Sequence, residues 1–165
     1  MMETPMDRID KILNHDLFLY HLGRNNAAEA DRRFCRHGMV HFLDVARIGT
    51  IIALEEGLKI DREWIYAAAL LHDCGKHEQY ENGIPHEQAS ARIAPEILKT
   101  CGFDDEETGV IVTAISRHRD PEAAREKNLN GILYRADKAS RACFACDAKK
   151  DCNWKDGKKN LTIKY

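Results

Sequence analysis

The sequence has few of the features that mark membrane, secreted or nucleic-acid-binding proteins. Its longest aliphatic run, Ala67–Leu71, is far shorter than the roughly 20 apolar residues that span a bilayer. The 25 Lys and Arg residues are balanced by 27 Asp and Glu residues, which argues against binding to nucleic acid through bulk positive charge. Met1–Pro5 is neither basic nor followed by an apolar stretch, unlike a secretory signal. We therefore expect a cytoplasmic protein that binds neither membrane nor nucleic acid.

Aromatic residues are also scarce, at 7% of the chain, so the core must be built mainly from Ala, Ile, Leu and Val. The 165 residues have the length of one domain, and no repeat or Pro/Gly-rich linker divides them. No stretch alternates between apolar and polar residues as a half-buried strand would. Apolar residues instead recur at helical spacing, which predicts an all-α fold.

Helical periodicity, together with capping and helix-breaking residues, predicts where the helices lie. We expect an N-terminal helical arm broken near Asn14, and then helices over about 40–56, 61–72, 86–100, 104–118 and 129–143. Asp73–Pro85 is predicted to be a loop, and Pro95 is expected to kink its helix or start a new turn. The predicted organisation is an N-terminal arm (1–34), a helical domain (35–142) and a Cys-rich tail (143–165) packed on that domain.

Several histidines and carboxylates occupy the apolar stripes, or the ends, of successive predicted helices. A polar side chain that points into a core costs free energy unless it is paired or bound. One such histidine is usually a satisfied core residue, but here the pattern recurs in four helices. Imidazole and carboxylate together suit divalent Fe, Mn, Co or Zn, and six ligands suggest two ions. The candidate ligands are His41, His72, Asp73, His86, His118 and Asp137.

The dipeptide His-Asp is weak evidence by itself, because it occurs twice in this chain. His72-Asp73 follows the apolar run Ala67–Leu71 and precedes Gly-Lys, as the end of a buried helix would. In the segment around His15-Asp16, Asn14 or Asp16 is expected to cap a local turn. Only the second doublet is therefore a candidate for a metal site.

Five motifs, in order, resemble those of the HD-domain superfamily of metal-dependent phosphohydrolases. They are His41-Phe-Leu-Asp-Val-Ala-Arg, Ala69-Leu-Leu-His72-Asp73-Cys-Gly-Lys76, Pro85-His86-Glu-Gln-Ala-Ser-Ala, Ile115-Ser-Arg-His118 and Leu133-Tyr-Arg-Ala-Asp137-Lys138. The resemblance implies a single HD-domain helical bundle in which one ion is held by His41, His72, Asp73 and Asp137. His86 and His118 are similar to the extra ligands of subfamilies in which the Asp of the doublet bridges two metals.

The same resemblance implies hydrolysis of a phosphoester or phosphoanhydride in a small, nucleotide-like substrate by a metal-activated water. Asp73 would bridge the ions and orient the nucleophile, and Lys76 would act beside it as a catalytic cation. The other residues expected to bind phosphate are Arg119, Arg135, Lys138 and Arg141. Two alternatives remain open: a di-iron oxygenase, since some relatives with six ligands activate dioxygen, and a non-catalytic regulatory HD module.

Three of the six cysteines crowd the polar C-terminal segment in a C-x2-C-x5-C motif formed by Cys143, Cys146 and Cys152. This motif is typical of zinc or iron–sulfur ligands, but it lacks a fourth residue. Cys35 lies six residues before His41, and Cys143 lies six residues after Asp137. If His41 and Asp137 share a metal on antiparallel helices, both steps lead towards the same end of the bundle, so the two thiols would be neighbours. We expect Cys35 to complete a second metal or cluster site, with zinc or Fe–S. The alternative is that the four thiols are buried without a ligand.

Overall fold

A computed structural model describes residues 5–165, which form eight α-helices, three 3-10 helices and no β-strand. The α-helices are α1 Asp7–Leu13, α2 Asp16–Ala28, α3 Met39–Glu55, α4 Arg62–Leu71, α5 Lys76–Asn82, α6 His86–Thr100, α7 Asp105–Ser116 and α8 Leu129–Ala139. The 3-10 helices are Pro121–Arg125, Cys143–Ala145 and Asp156–Lys158. The predicted all-α fold is confirmed.

Residues 1–4, which belong to the predicted N-terminal arm and to the segment compared with a secretory signal, lie outside the described residues. The rest of the arm consists of α1 and α2, which are separated at Asn14 and His15 as the sequence predicts. Across residues 5–165, no helix combines the length and the apolar character that a bilayer span requires.

Helix α4 is the centre of the bundle and packs against α1, α3, α6, α7 and α8. Ile65 and all of Ala67–Leu71 are buried, and the small alanine side chains let neighbouring helices approach closely. Asp61 starts the helix, because its side chain accepts a hydrogen bond from the Glu63 N–H at 2.8 Å. Since α4 ends inside the bundle, the residues that follow Leu71 lie in the interior rather than at the surface.

The segment predicted as a loop after Asp73 contains a helix, α5, so that prediction is wrong. Gly75 precedes the helix, and Gly83 follows it with a positive φ of 72°, which glycine adopts without a steric cost. Most residues of Lys76–Asn82 have good helix propensity. The helix has only 7 residues, too few turns for an apolar period to show, and its bounding glycines are the signal that could have revealed it.

Pro95 lies inside α6, which is continuous from His86 to Thr100, so it does not start a new turn, and the predicted kink stays a prediction. A proline inside a helix leaves the carbonyl four residues earlier without its N–H partner. Both Pro95 and Ala91, which carries that carbonyl, are half-exposed. Water can therefore satisfy the carbonyl, and the helix continues.

Helix α8 ends sooner than predicted, at Ala139. The Ser140 hydroxyl donates to the Asp137 carbonyl at 2.7 Å, and the Asn160 amide donates to the Lys138 carbonyl at 2.7 Å. These side chains replace the N–H groups of a further helical turn. The chain therefore leaves the helix here and enters the C-terminal tail.

Gly75 marks a close approach between the turn after α4 and helix α6. A Cβ at this position would lie 2.7 Å from the Ala89 Cβ and 2.7 Å from the Ser90 amide nitrogen. We expect Gly75→Ala to lower the free energy of unfolding by roughly 1–3 kcal/mol, because α6 must move to relieve the overlap. Urea denaturation followed by circular dichroism measures the change.

Gly109 provides the matched control, because no atom lies within 4 Å of a Cβ placed there. It sits inside α7, so Gly109→Ala should leave stability unchanged or raise it by up to about 1 kcal/mol. Equal losses of stability in the two variants would contradict the close approach at Gly75.

Candidate metal centre

The six predicted metal ligands meet in the middle of the bundle, and each lies at or near a helix end. All six are less than a tenth exposed. They are His41 in the first turn of α3, His72 and Asp73 directly after α4, His86 at the start of α6, His118 just after α7, and Asp137 in the last turn of α8. The fold thus places near one another residues that are scattered over almost a hundred positions of the chain.

These side chains form two groups that share Asp73. In the first group, Asp73 Oδ2 lies 3.2 Å from His41 Nε2 and 3.1 Å from His72 Nε2. Asp137 Oδ1 lies 3.2 Å and 3.5 Å from the same two nitrogens. In the second group, Asp73 Oδ1 lies 3.3 Å from His86 Nε2 and 3.4 Å from His118 Nε2. Within each group one ligand atom per residue falls within 4.8 Å of all the others, so Asp73 presents one oxygen to each group.

His72 and His118 are oriented by the same local hydrogen bond. Each follows the end of its helix and donates from Nδ1 to the carbonyl three residues back. The acceptors are Ala69 O at 2.6 Å and Ile115 O at 2.7 Å. With the proton on Nδ1, the lone pair of Nε2 is left free to bind a ligand in the site.

His86 and His41 are oriented by partners from distant elements, which the sequence prediction missed. His86 Nδ1 donates to Gln79 Oε1 at 2.5 Å, and His41 Nδ1 lies 3.2 Å from Ser140 Oγ. Gln79 lies on α5, the helix predicted as a loop, and Ser140 follows α8. All four Nε2 atoms therefore face inward, while each Nδ1 is hydrogen-bonded outside the site.

The turn that carries Asp73 is held by Asn25 of α2, a second residue that sequence reasoning missed. The fully buried Asn25 amide donates to Asp73 O at 2.8 Å and accepts from His77 N–H at 2.8 Å. No motif or spacing in the sequence marks Asn25. The N-terminal arm thus contributes a direct contact to the backbone of the site.

The electrostatics of the site favour a bound cation. Burial raises the pKa of Asp73 and Asp137, yet the neighbouring imidazoles outweigh it and hold both pKa values well below their usual range. Burial lowers the pKa of His72, but the two carboxylates outweigh it and raise that pKa to about 10. The carboxylates therefore stabilise positive charge at this point, which a divalent ion would supply.

Two atoms of the doublet support the same conclusion. His72 Nε2 and Asp73 Oδ1 are buried without a hydrogen-bond partner among the described residues. The separation of 3.1 Å between His72 Nε2 and Asp73 Oδ2 reflects proximity rather than hydrogen-bond geometry. Unpaired buried polar atoms are costly, and coordination to an ion would satisfy both. The donor set of imidazoles and carboxylates therefore fits a divalent transition metal.

A cavity of about 460 Å³ opens over the ligands. Its lining includes four of the five residues predicted to bind phosphate, namely Lys76, Arg119, Lys138 and Arg141. The fifth, Arg135, is not brought to the site. Its guanidinium pairs with Glu56 at the end of α3, because residues two apart on a helix point to nearly opposite sides and Asp137 faces the ligands.

The structure adds residues to the cavity that the prediction did not include. They are Arg32, Phe34, His37 and the tail segment Asp151–Trp154. His37 is buried, and its Nδ1 lies 2.5 Å from Glu29 Oε2. Phe34 and the tail lie outside the HD motifs, and nothing in their sequence marks them as part of the cavity, so only the tertiary structure reveals them.

The other His-Asp doublet has a purely local role. His15 Nδ1 accepts a hydrogen bond from the Leu17 N–H at 3.1 Å and caps α2. His15 is thus the N-cap of α2, while the predicted Asn14 caps the C-terminus of α1, where its side-chain amide donates to Asp10 O at 2.8 Å. This doublet takes no part in either ligand group.

A family model described as "HD domain" matches residues 38–142. This chain belongs to the HD domain family. The HD chain is 48% identical over 160 residues to a Clostridium beijerinckii protein described as "Uncharacterized protein", covering 97% of this chain and 100% of the relative.

The fold of the HD chain is also similar to a crystal structure from an uncultured Thermotogales bacterium. That protein is described as a predicted HD superfamily hydrolase. The two structures have a TM-score of 0.62 at 25% identity, over 87% of this chain and 81% of the other. The family inferred from the five motifs is confirmed.

Because both groups share the Asp73 carboxylate, we expect Asp73→Ala to abolish retention of divalent metal at this site. Loss of an outer hydrogen-bond partner alone costs about 10–100-fold in metal affinity, so loss of the shared carboxylate should cost more than about 100-fold. Titration calorimetry with Mn²⁺ measures the affinity, and circular dichroism checks the helical content, which should be largely retained.

Asp16→Ala is the matched control, since Asp16 belongs to the doublet that lies outside both groups. It should bind Mn²⁺ as the unaltered protein does. Unchanged metal affinity in Asp73→Ala would contradict the shared position of Asp73.

Proposed function

We propose that this HD protein is a metal-dependent phosphohydrolase that cleaves a phosphoester or phosphoanhydride in a small, nucleotide-like substrate. Membership of the HD family and the similar fold of a protein described as an HD superfamily hydrolase support metal-dependent hydrolysis. The observation that carries the proposal is the position of Asp73, with one carboxylate oxygen facing each ligand group.

Two ions are the occupants that this arrangement supports. The first would be held by His41, His72, Asp137 and Asp73 Oδ2, and the second by His86, His118 and Asp73 Oδ1. Imidazole and carboxylate ligands are compatible with Fe, Mn, Co or Zn. When bound, such ions neutralise a phosphate and lower the pKa of a coordinated water from 15.7 towards about 7. Asp73 would lie between the two ions, so we propose that it also orients that nucleophile.

Lys76 is the cation best placed to act on the substrate. It is the first residue of α5, is only 8% exposed and lines the cavity with Asp73. Its ammonium nitrogen lies 3.3 Å from His86 Nδ1 and 5.6 Å from the centre of the Tyr80 ring. Burial lowers its pKa, and a bound phosphate would compensate for the lost hydration. Lys76 is therefore proposed to stabilise the charge that develops on the phosphate.

Three further cations surround the same space. Lys138 Nζ lies 3.1 Å from Asp137 Oδ2, and Arg141 Nη2 lies 3.3 Å from His41 Nε2. Arg119 completes this side of the cavity. Because several cations surround one small cavity, the arrangement suits a substrate with more than one negative charge.

The size and lining of the cavity support a nucleotide-like substrate. Its volume of about 460 Å³ is within the range of roughly 300–1,000 Å³ that is usual for small-molecule sites. The rings of Phe34 and Trp154 line it together with the basic residues. Aromatic rings stack on nucleobases, while the cations and the metal site would hold the phosphate.

Hydrolysis is tested with protein stripped of metal, loaded with Mn²⁺ and kept free of oxygen. The substrates are bis-p-nitrophenyl phosphate and a panel of nucleotides and dinucleotides. We expect turnover that depends on the added ion and needs no dioxygen. Substrate-dependent oxygen uptake without phosphate release would instead indicate an oxygenase, and a fully loaded protein that turns over no phosphoester would indicate a regulatory module.

Replacing Lys76 with Met should reduce kcat/KM by about 10²–10³-fold, as loss of one preorganised donor does elsewhere. The metal content should be unchanged, because Lys76 is not a ligand. Lys99→Met is the control, since Lys99 is exposed and pairs with Asp105 on the surface. Equal kcat/KM values for the two variants would refute the role of Lys76.

A further inference from the structure

Four cysteines from separate parts of the chain line one cavity, and the proposed hydrolysis uses none of them as a ligand. The cavity has a volume of about 580 Å³, and its lining includes Cys35, Cys143, Cys146 and Cys152. All four are free thiols. The other two cysteines, Cys74 and Cys101, are buried in the hydrophobic core.

Specific contacts hold the segments that carry these thiols. Arg32 Nε donates to Cys35 O at 2.7 Å, and Arg141 Nη1 donates to Arg36 O at 3.1 Å. On the other side, Phe144 N–H donates to Asn160 O at 2.9 Å. The Arg141–Arg36 contact therefore joins the segment before α3 to the residue that precedes the tail, while the other two contacts hold each segment internally. Neither Cys35 nor Cys143 lies on the long helix that the spacing argument assumed.

The spacing of the sulfurs does not suit a single zinc ion. Within residues 5–165, the sets of three or more His, Cys, Asp or Glu ligand atoms that fall within 4.8 Å of one another are the two His/Asp groups. Tetrahedral zinc with Zn–S distances of about 2.3 Å places its sulfurs about 3.8 Å apart. The four thiols instead line a cavity of about 580 Å³, which has room for a larger inorganic group.

We propose that Cys35, Cys143, Cys146 and Cys152 hold a [4Fe–4S] cluster. In such a cluster each thiolate binds a different iron, so no two sulfurs need to come close together. Each thiol releases its proton when it binds iron. The C-x2-C pair and Cys152 would bind from the tail, and Cys35 would bind from the opposite wall.

The charge around the cavity complements a thiolate cluster, whose net charge is negative. The basic residues of its lining are Arg33, Arg36, Arg141, Lys149 and Lys159, against two acidic residues, Glu29 and Asp44. Some of these charges are already paired: Glu29 accepts from His37, Arg33 pairs with Asp151 at 2.6 Å, and Lys159 pairs with Asp156 at 3.2 Å. Arg36, Arg141 and Lys149 form no salt bridge among the described residues. Nearby positive charge stabilises the deprotonated thiols that iron requires.

The composition of the tail also requires an anchor of this kind. In residues 143–165 the buried apolar side chains are Cys143 and Ala148, and neither belongs to the main hydrophobic core. Ordering each residue costs about 1–2 kcal/mol of backbone entropy, which so little apolar burial does not offset. Binding of three tail cysteines to one cluster would supply the missing free energy.

The cluster would also position a wall of the hydrolytic cavity, a consequence that rests on the proposed function. Phe34, Cys35, Arg141, Cys152 and Trp154 line both cavities. The segment that carries Cys152 and Trp154 therefore separates the cluster from the substrate. The cluster has a structural role here, because it fixes the aromatic and basic groups of that wall.

The test uses the full chain, purified without oxygen, and measures iron, acid-labile sulfide, zinc and visible absorption. We expect about four sulfides per chain, together with four irons beyond any iron in the histidine site. Sulfide is decisive because the histidine site contributes none. Cys146→Ser should lose the sulfide and the visible band, whereas Cys101→Ser should retain both.

A second measurement covers the case in which Cys146→Ser does not fold. Removing iron from the unaltered protein with a chelator should release the tail, so that trypsin cleaves faster after the exposed lysines Lys149 and Lys155, while the helical content stays the same. One zinc per chain without sulfide, a two-iron cluster, or no metal on these cysteines would each overturn the proposal. These outcomes do not depend on whether the protein hydrolyses phosphoesters.

Discussion

The carboxylate of Asp73 is buried within reach of four imidazoles, and contacts from several helices hold it in that position. A buried charge is tolerated only when it is paired and hydrogen-bonded or bound to metal. Helix α4 supplies the position, because it ends inside the bundle rather than at its surface. Asn25 holds the backbone at this point, and Gly75 lets the turn pass close to α6. The packing around α4 therefore determines where the HD doublet lies.

The ends of helices, rather than their faces, build the site. His72 and His118 each donate to a carbonyl of the helix that they have just left, so one local hydrogen bond ends the helix and also turns the ring. This hydrogen bond fixes the direction of each ring, which suits ligands that must be preorganised. The cations are also carried by helix ends: Lys76 begins α5, and Arg141 follows α8, so they border the ligands without joining them.

The C-terminal tail contributes residues to two separate cavities. Its residues line the cavity over the HD ligands, and its cysteines line a second cavity behind that wall. A segment with so few buried apolar side chains needs an external anchor. The proposed cluster and the proposed hydrolytic site would then be linked mechanically, because the element that carries Trp154 belongs to both. Asn25 of the N-terminal arm contacts the backbone of the site, and the adjoining loop that bears Cys35 lines the second cavity.

The all-α fold, the order of the HD motifs and the candidate ligands were determined by the sequence alone, because helical periodicity and residue spacing are local properties. The same logic failed for α5, which is too short to show a period. Only the tertiary structure decided that Arg135 turns away to Glu56, that Gln79 and Ser140 orient the rings of His86 and His41, and that Cys35 faces the tail. These contacts join residues that are distant in sequence, and the packing of the helices around α4 determines which of them meet.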